Sequence, residues 1–309
     1  MIRFAACIVL RDEKDVSNFS ECRASLEGLN LDFYAMDFTN KFNFKDVKKI
    51  EVESKDDMSL NKNKFIKKLD CEWFLFIEPY ERLINGKDII KEIISSNEGV
   101  YKFLSIDNGV ITKTIRLFHK KSNCFFENPI YESVFSREAK DTNILISSEN
   151  KNIENEYEKI KKWKQEDKFS SYPIYYESCF YLKNENYDEF IKTSEKYFFM
   201  EKNHDLPSYT MLKYYQAFVF FYKKNDIKKS FQNLMFCIEK NPTMAEFWCL
   251  LGDINFELRK YKKAYYYYDN AIILGGSRSK SDDLFIDIKK YSLHPEKMKK
   301  ECKNLIDQI

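Results

Sequence analysis

The sequence predicts an α/β domain over residues 1–152 followed by an all-α domain of helical repeats over residues 153–309. Three observations carry this expectation. In the first half, short apolar runs alternate with polar segments of helical spacing, the pattern of a mostly parallel sheet covered on both faces. Beyond about residue 153 the strand candidates stop and long, aromatic-rich helical stretches take over. Within those stretches, residue types recur at a period of 34 residues.

Taken in order, the apolar runs are Phe4 to Leu10, Phe33 to Asp37, Lys49 to Val52, Trp73 to Ile77 and Val100 to Ile106. Helical spacing fills Asp15 to Leu29, Ser59 to Leu69 and Gly86 to Ile94 between them. Open α/β sheets bind ligands beyond the carboxyl ends of their strands, which is where Asp12, Asp37 and Glu78 fall. In the second half, the stretch WCLLGDINFELRKYKKAYYYYDNAIILGG places Trp248, Leu251, Gly252, Ala264, Tyr268 and Ala271 at tetratricopeptide positions. One period earlier, Tyr214, Ser230 and Cys237 align with Trp248, Ala264 and Ala271, and Pro242 closes that repeat. Equating Tyr187 with Tyr261 gives a third unit, with helices at about 173–184 and 187–200. The segment Ser281 to Ile309 is expected to cap the array. Small residues at these positions let paired helices approach while aromatics fill the gaps, so the stripes are mainly core. The concave face is the candidate surface for a peptide or protein partner.

Lys and Arg number 51 against 49 Asp and Glu, so the net charge of +2 supplies no field to gather nucleic acid or an anionic membrane. With only 7 Gly, and neither GxGxxG nor GxxxxGK[ST], a glycine-rich phosphate loop is not expected. His119, His204 and His294 lie too far apart in sequence to suggest a zinc site or a histidine triad. The 8 cysteines are scattered without a CxxC pair, as suits buried thiols in a reducing compartment. The opening run Phe4 to Leu10 is too short to span a membrane, and Arg11, Asp12, Glu13 and Lys14 follow it at once. The expectation is a soluble, cytoplasmic protein with no membrane span.

Four segments, in order, carry a resemblance to a known family. CIVLRDEKDVSNFSECRASLEGL has Asp12 and Glu13 where the family has an asparagine-glutamate turn. DFYAMDFTNKF ends a strand on Asp37. DDMSLNKNKFIKKLDCEWFLFIEPYERL supplies Met58-Ser59, Lys62-Asn63 and Glu72-Trp73 before an acidic strand end. IRLFHKKSNCFFENPIYESV keeps Arg116, Leu117, Phe118, Ile130 and Glu132. Followed by helical repeats, these segments make most of the chain resemble the family 2 glycosyltransferases of the GT-A fold that carry a tetratricopeptide tail.

That resemblance implies a Rossmann-like nucleotide-diphospho-sugar transferase domain, a nucleotide-sugar donor (a UDP-sugar first) and a protein, glycan or lipid-linked acceptor. It assigns donor binding to Asp37, Lys62, Asn63, Glu78 and Arg116, and places Glu132, with Glu81 second, as the carboxylate that takes the acceptor's proton. The family's DxD motif holds a divalent ion, Mn or Mg, on the donor's diphosphate. Here Glu78 replaces the first aspartate, Tyr80 the second, and Tyr131 the histidine of the isoleucine-histidine-glutamate motif. Phenols are poor ligands for hard cations, so no metal ligand is assigned and a metal-independent site is expected, its leaving group met by Lys62, Arg82 and Arg116; the alternative is a weakly held Mn or Mg on oxygens of Glu78 and Glu81. The alternative is a catalytically inactive adaptor that binds protein through its repeats.

Overall fold

The computed structural model describes residues 3–39, 44–50, 52, 57–96, 98–136, 138–148, 155–278 and 284–308. The chain divides into two compact units, Met1–Glu154 and Asn155–Ile309.

In the first unit the apolar opening run forms β1 (Phe4–Leu10), buried at every residue. Asp12 then caps α1 (Glu13–Ser25), its side chain accepting the Asp15 N–H at 2.8 Å. β2 (Asp32–Asp37) and β3 (Val47–Ile50) precede α2 (Met58–Lys68), which Asp57 caps through the Leu60 N–H. Of the predicted run Lys49 to Val52, Glu51 lies outside the described residues. β4 (Trp73–Phe76) and β5 (Glu81–Leu83) lead to α3 (Lys87–Ile94). Gly86 starts that helix at φ +90°, and a Cβ there would lie 2.7 Å from Ile144 Cγ1, so only glycine fits. The remaining strands are β6 (Val100–Asp107), β7 (Val110–His119), β8 (Phe125–Glu127), β9 (Ser133–Phe135) and β10 (Lys140–Ser148).

Among the described residues of this unit, the sheet runs in the order β3-β2-β1-β4-β7-β6-β10-β5, with β8 and β9 pairing separately. β3, β2, β1 and β4 are parallel, as is the β6 pairing with β10, while β7 runs antiparallel to β4 and β6 and β5 antiparallel to β10. The sheet is therefore mixed, where the apolar runs predict a mostly parallel one. The difference is local: Asn108 and Gly109 both take positive φ, the geometry of a two-residue hairpin, and turn β6 straight back into β7. On one face Ile8 and Leu10 pack with Phe19 and Cys22 of α1 and Ile90 of α3. On the other, Cys7 and Val9 pack with Phe65 and Ile66 of α2 and Phe126 of β8. This is a mixed α/β layer with the carboxyl ends of its parallel strands β1, β2 and β4 at one rim.

The second unit comprises α4 (Glu156–Glu166), α5 (Tyr172–Lys183), α6 (Tyr187–Met200), α7 (Pro207–Tyr222), α8 (Ile227–Lys240), α9 (Ala245–Glu257), α10 (Tyr261–Gly276) and α11 (Leu293–Ile306). Helices α5 with α6, α7 with α8, and α9 with α10 form tetratricopeptide-like pairs. The predicted small positions are the close contacts: a Cβ on Gly252 would stand 2.5 Å from the Tyr268 ring, and Ala264, Tyr268 and Ala271 are fully buried. The predicted cap begins in residues outside the described ones, and α11 closes the array by setting Cys302 against Ala264 and Tyr268. No described helix is long and apolar enough to cross a membrane.

Candidate active site

The register of the parallel strands gathers the candidate residues. Leu10 of β1 faces Asp37 of β2, and Cys7 faces Phe76 of β4, so Asp37 and Glu78 flank the carboxyl end of β1. Arg11 continues β1, Lys62 comes from the buried face of α2, Arg116 from β7, and Glu132 from the turn before β9. Tyr131, at φ +52°, lies in the left-handed region immediately before Glu132.

Four of these side chains form a closed ring of alternating charge. Lys62 Nζ lies 2.9 Å from Glu132 Oε1 and 3.4 Å from Glu78 Oε1. Arg11 Nη1 donates to Glu78 Oε2 at 2.7 Å, and Nη2 lies 3.5 Å from Glu132 Oε1. Each cation thus bridges both carboxylates. Lys62, Glu78 and Glu132 side chains are 5%, 8% and 4% exposed, whereas Arg11 is 22% exposed, so a guanidinium is the ring's outward member. The Lys62 ammonium also lies over the rings of Phe126 and Phe76, at 4.9 and 5.7 Å from their centroids. Burial works against the Arg11 charge, but Glu78 and Glu132 outweigh it and raise its pKa.

A second layer supports the ring. Glu81 Oε2 accepts the Glu78 N–H at 2.8 Å and Oε1 accepts from Arg116 Nη2 at 2.5 Å, which braces the turn after β4. Asp15 accepts the Arg11 N–H at 2.8 Å; burial pushes its carboxyl up to about 6 despite Arg11. Burial, then Glu78 and Glu81, raise the Tyr80 phenol, which stays neutral.

The remaining candidates sit apart from the ring. Asp37 Oδ1 accepts the Thr39 N–H and hydroxyl at 2.9 and 2.7 Å, and Lys49 lies 3.3 Å from Oδ2. Those hydrogen bonds from Thr39, with Lys49, outweigh burial and hold the Asp37 carboxyl low. Asn63 gives both ends of its amide to the Phe126 backbone, at 2.8 and 2.7 Å, and so ties α2 to β8. Arg82 bonds to Glu21 and to the Pro79 and Glu81 carbonyls. Sequence reasoning missed Arg11 and Asp15. The available signal was a cation directly after β1, at the rim where strand ends gather ligands, with an acid four residues on.

The ring does not fit a divalent ion. Such ions need several charged oxygens free to ligate, and here each Glu78 oxygen faces a cation while Glu132 Oε1 faces two. Among the described residues no cluster of three or more His, Cys, Asp or Glu is arranged to hold a metal. A cleft of about 550 Å³ lies at the other rim, bordered by Arg3, Trp73 and His119. Of its cations, Arg3 is paired with Asp70 and Lys120 bonds the Leu69 carbonyl, Lys121 also lines it, and α3 turns its carbonyl end toward it.

No protein-family model matches the chain, and no curated protein matches it. Among solved structures, TarS 1–349 of S. aureus in complex with UDP-GlcNAc is 10% identical over 98% of this chain and 92% of its own, at a TM-score of 0.37. MamA 41-end from Desulfovibrio magneticus is 18% identical over 50% of this chain and 82% of its own, at 0.38. The first TPR of Spaghetti (RPAP3), bound to an HSP90 peptide, is 14% identical over 44% of this chain and 93% of its own, at 0.35. At these scores the likenesses carry no argument; the fold rests on strand order and helix pairing, and the site on its charge ring.

Proposed function

We propose that the chain is a glycosyltransferase that moves a sugar from a UDP-sugar to a protein, glycan or lipid-linked acceptor in the cytoplasm, without a bound metal. The observation that carries this reading is the arrangement of charge at the rim: guanidiniums of Arg11 and Arg116 outermost, carboxylates of Glu78, Glu81 and Glu132 beneath them. A diphosphate reaching that rim meets N–H donors first. Asp37, the last residue of β2, is the nucleoside contact, and Asn63 serves the donor side by fixing β8 against α2.

In this reading the diphosphate draws Arg11 and Lys62 away from their carboxylates. A carboxylate held by two cations is a weak proton acceptor, and one released from them is stronger. Glu132, released as the donor binds, takes the acceptor hydroxyl's proton. The acceptor oxygen bonds to the anomeric carbon, the bond from that carbon to the diphosphate breaks, and the nucleoside diphosphate leaves with the electron pair. Lys62, Arg11 and Arg116 stabilise its charge.

A thermal-shift panel of nucleotide sugars in EDTA, UDP-GlcNAc among them, tests the reading. At least one donor is expected to raise Tm, with Asp37→Asn losing the shift and Glu132→Gln keeping it while losing sugar transfer. A panel without any shift, with and without manganese, would instead support the adaptor.

A further inference from the structure

We infer that the first helices of the repeat pairs form a peptide groove and that the chain fills it with its own residues 284–291, a tethered ligand that closes this face to a peptide arriving from another molecule. The basis is the repeat register. On α7, Leu212, Tyr215 and Val219 share one helix face, and one 34-residue period later Glu246, Cys249 and Asp253 hold the same positions on α9. Together they make a stripe across the array, of the kind that repeat proteins use for extended ligands.

Residues 284–291 run along that stripe from α7 to α9. The Phe285 ring is stacked 6.3 Å from that of Tyr215 and lies 5.9 Å from that of Tyr214, while Leu284 is buried in the cluster that holds Tyr214 and Phe247. The backbone is gripped as well. Glu246 Oε1 accepts the Asp287 N–H at 2.7 Å, Cys249 Sγ donates to the Lys290 carbonyl at 3.5 Å, and Arg278, just past α10, donates to the Leu284 and Phe285 carbonyls at 2.7 and 3.0 Å. Grooves for extended peptides work this way, with main-chain hydrogen bonds for affinity and side-chain pockets for specificity.

Glu246 is the decisive residue. Its side chain is fully buried, and its two oxygens both go to the segment: Oε1 to the Asp287 N–H and Oε2 to the Tyr291 hydroxyl at 2.9 Å. A carboxylate is buried at low cost only where hydrogen bonds replace its water, and here the segment supplies them. The ligand class follows: an extended peptide with adjacent aliphatic and aromatic residues, as in Leu284-Phe285, and a tyrosine further on, as in Tyr291. The inference does not depend on the transferase reading, and it makes an adaptor role conditional on release of the segment.

The test is fluorescence anisotropy of a fluorescein-labelled LFIDIKKY peptide with the full chain, as wild type and as Leu284→Ser/Phe285→Ser, the latter also with Glu246→Ala added. A tethered ligand competes at an effective concentration of roughly millimolar, so the double variant is expected to bind the peptide at least about 100-fold more tightly than the wild type, and Glu246→Ala to abolish the gain. In the wild type, the Asp287 amide is expected to exchange its hydrogen at least about tenfold faster than that of Leu251 in α9, because the segment opens while the helices stay closed.

A folded double variant that ignores the peptide, a wild type that binds it equally well, or binding that survives Glu246→Ala would overturn the inference. So would an Asp287 amide as slow as that of Leu251, which makes the segment fixed core; this wild-type measurement decides even if the variants fail to fold. A wild-type dimer that the double substitution dissociates would seat the segment on a second copy and overturn the assignment within one chain.

Discussion

Lys62 is buried on a helix whose sequence, MSLNKNKFIKK, carries three other lysines that could have taken the inward position. A buried ammonium costs several kcal/mol unless it is paired, and the pairing with Glu132 and Glu78, together with the faces of Phe126 and Phe76, offsets that cost. Asp15 is the less comfortable neighbour. Burial raises its carboxyl to about 6, above the unfolded value, so between about pH 4 and 6 the folded chain holds a proton that the unfolded chain has released. Its contribution to stability is therefore greatest at low pH and is lost as pH rises through that window. Asp15→Asn, whose amide oxygen can still accept the Arg11 N–H, should gain on the wild type by up to roughly 3 kcal/mol between about pH 4 and pH 7. Urea unfolding of both proteins across that range checks this; parallel pH profiles would show that Asp15 does not titrate this way.

At the scale of elements, the periodic signals were legible and the turns less so. The strands Phe4–Leu10 and Trp73–Phe76 are continuous apolar runs and fall where they are expected. Strand β7 is different: its first residues, Val110 to Arg116, are partly or fully exposed and mixed in polarity, because only its last three residues, Leu117 to His119, are buried. The Asn108-Gly109 dipeptide was the readable sign that β6 turns back. In the repeats, the 34-residue register placed Gly252 and Tyr268 at a small and an aromatic packing position, and the structure sets them against each other, closer than van der Waals distance for any added Cβ. Gly252→Ala should therefore cost about 1–3 kcal/mol by overpacking, measured as a lower urea midpoint, while Gly276→Ala, in open space on the same helix pair, should cost little. Equal losses at the two positions would show that the Tyr268 contact is not the cause, since helix propensity by itself favours Ala over Gly at both.

For the whole molecule, each unit has its own buried core: Ile8, Phe19 and Trp73 with their neighbours in the first, Leu234, Phe247 and Leu251 with theirs in the second. A unit with its own core is expected to fold alone. Residues 155–309 expressed by themselves should give a helical circular-dichroism spectrum and one cooperative melt; a non-cooperative melt would mean that this unit depends on the first. The sequence by itself determined the two classes of unit, the parallel strands β1, β2 and β4, the repeat register and the strand-end position of Glu78, because hydrophobic period and strand-end position are local properties of the chain. Only the tertiary structure decided that Arg11 joins Lys62 on the same two glutamates, that Glu81 braces a turn, and that Asn63 binds a backbone. Those facts depend on side chains as many as 121 residues apart, such as Arg11 and Glu132, meeting at one rim, and charge pairing across such separations leaves no periodic trace in a sequence.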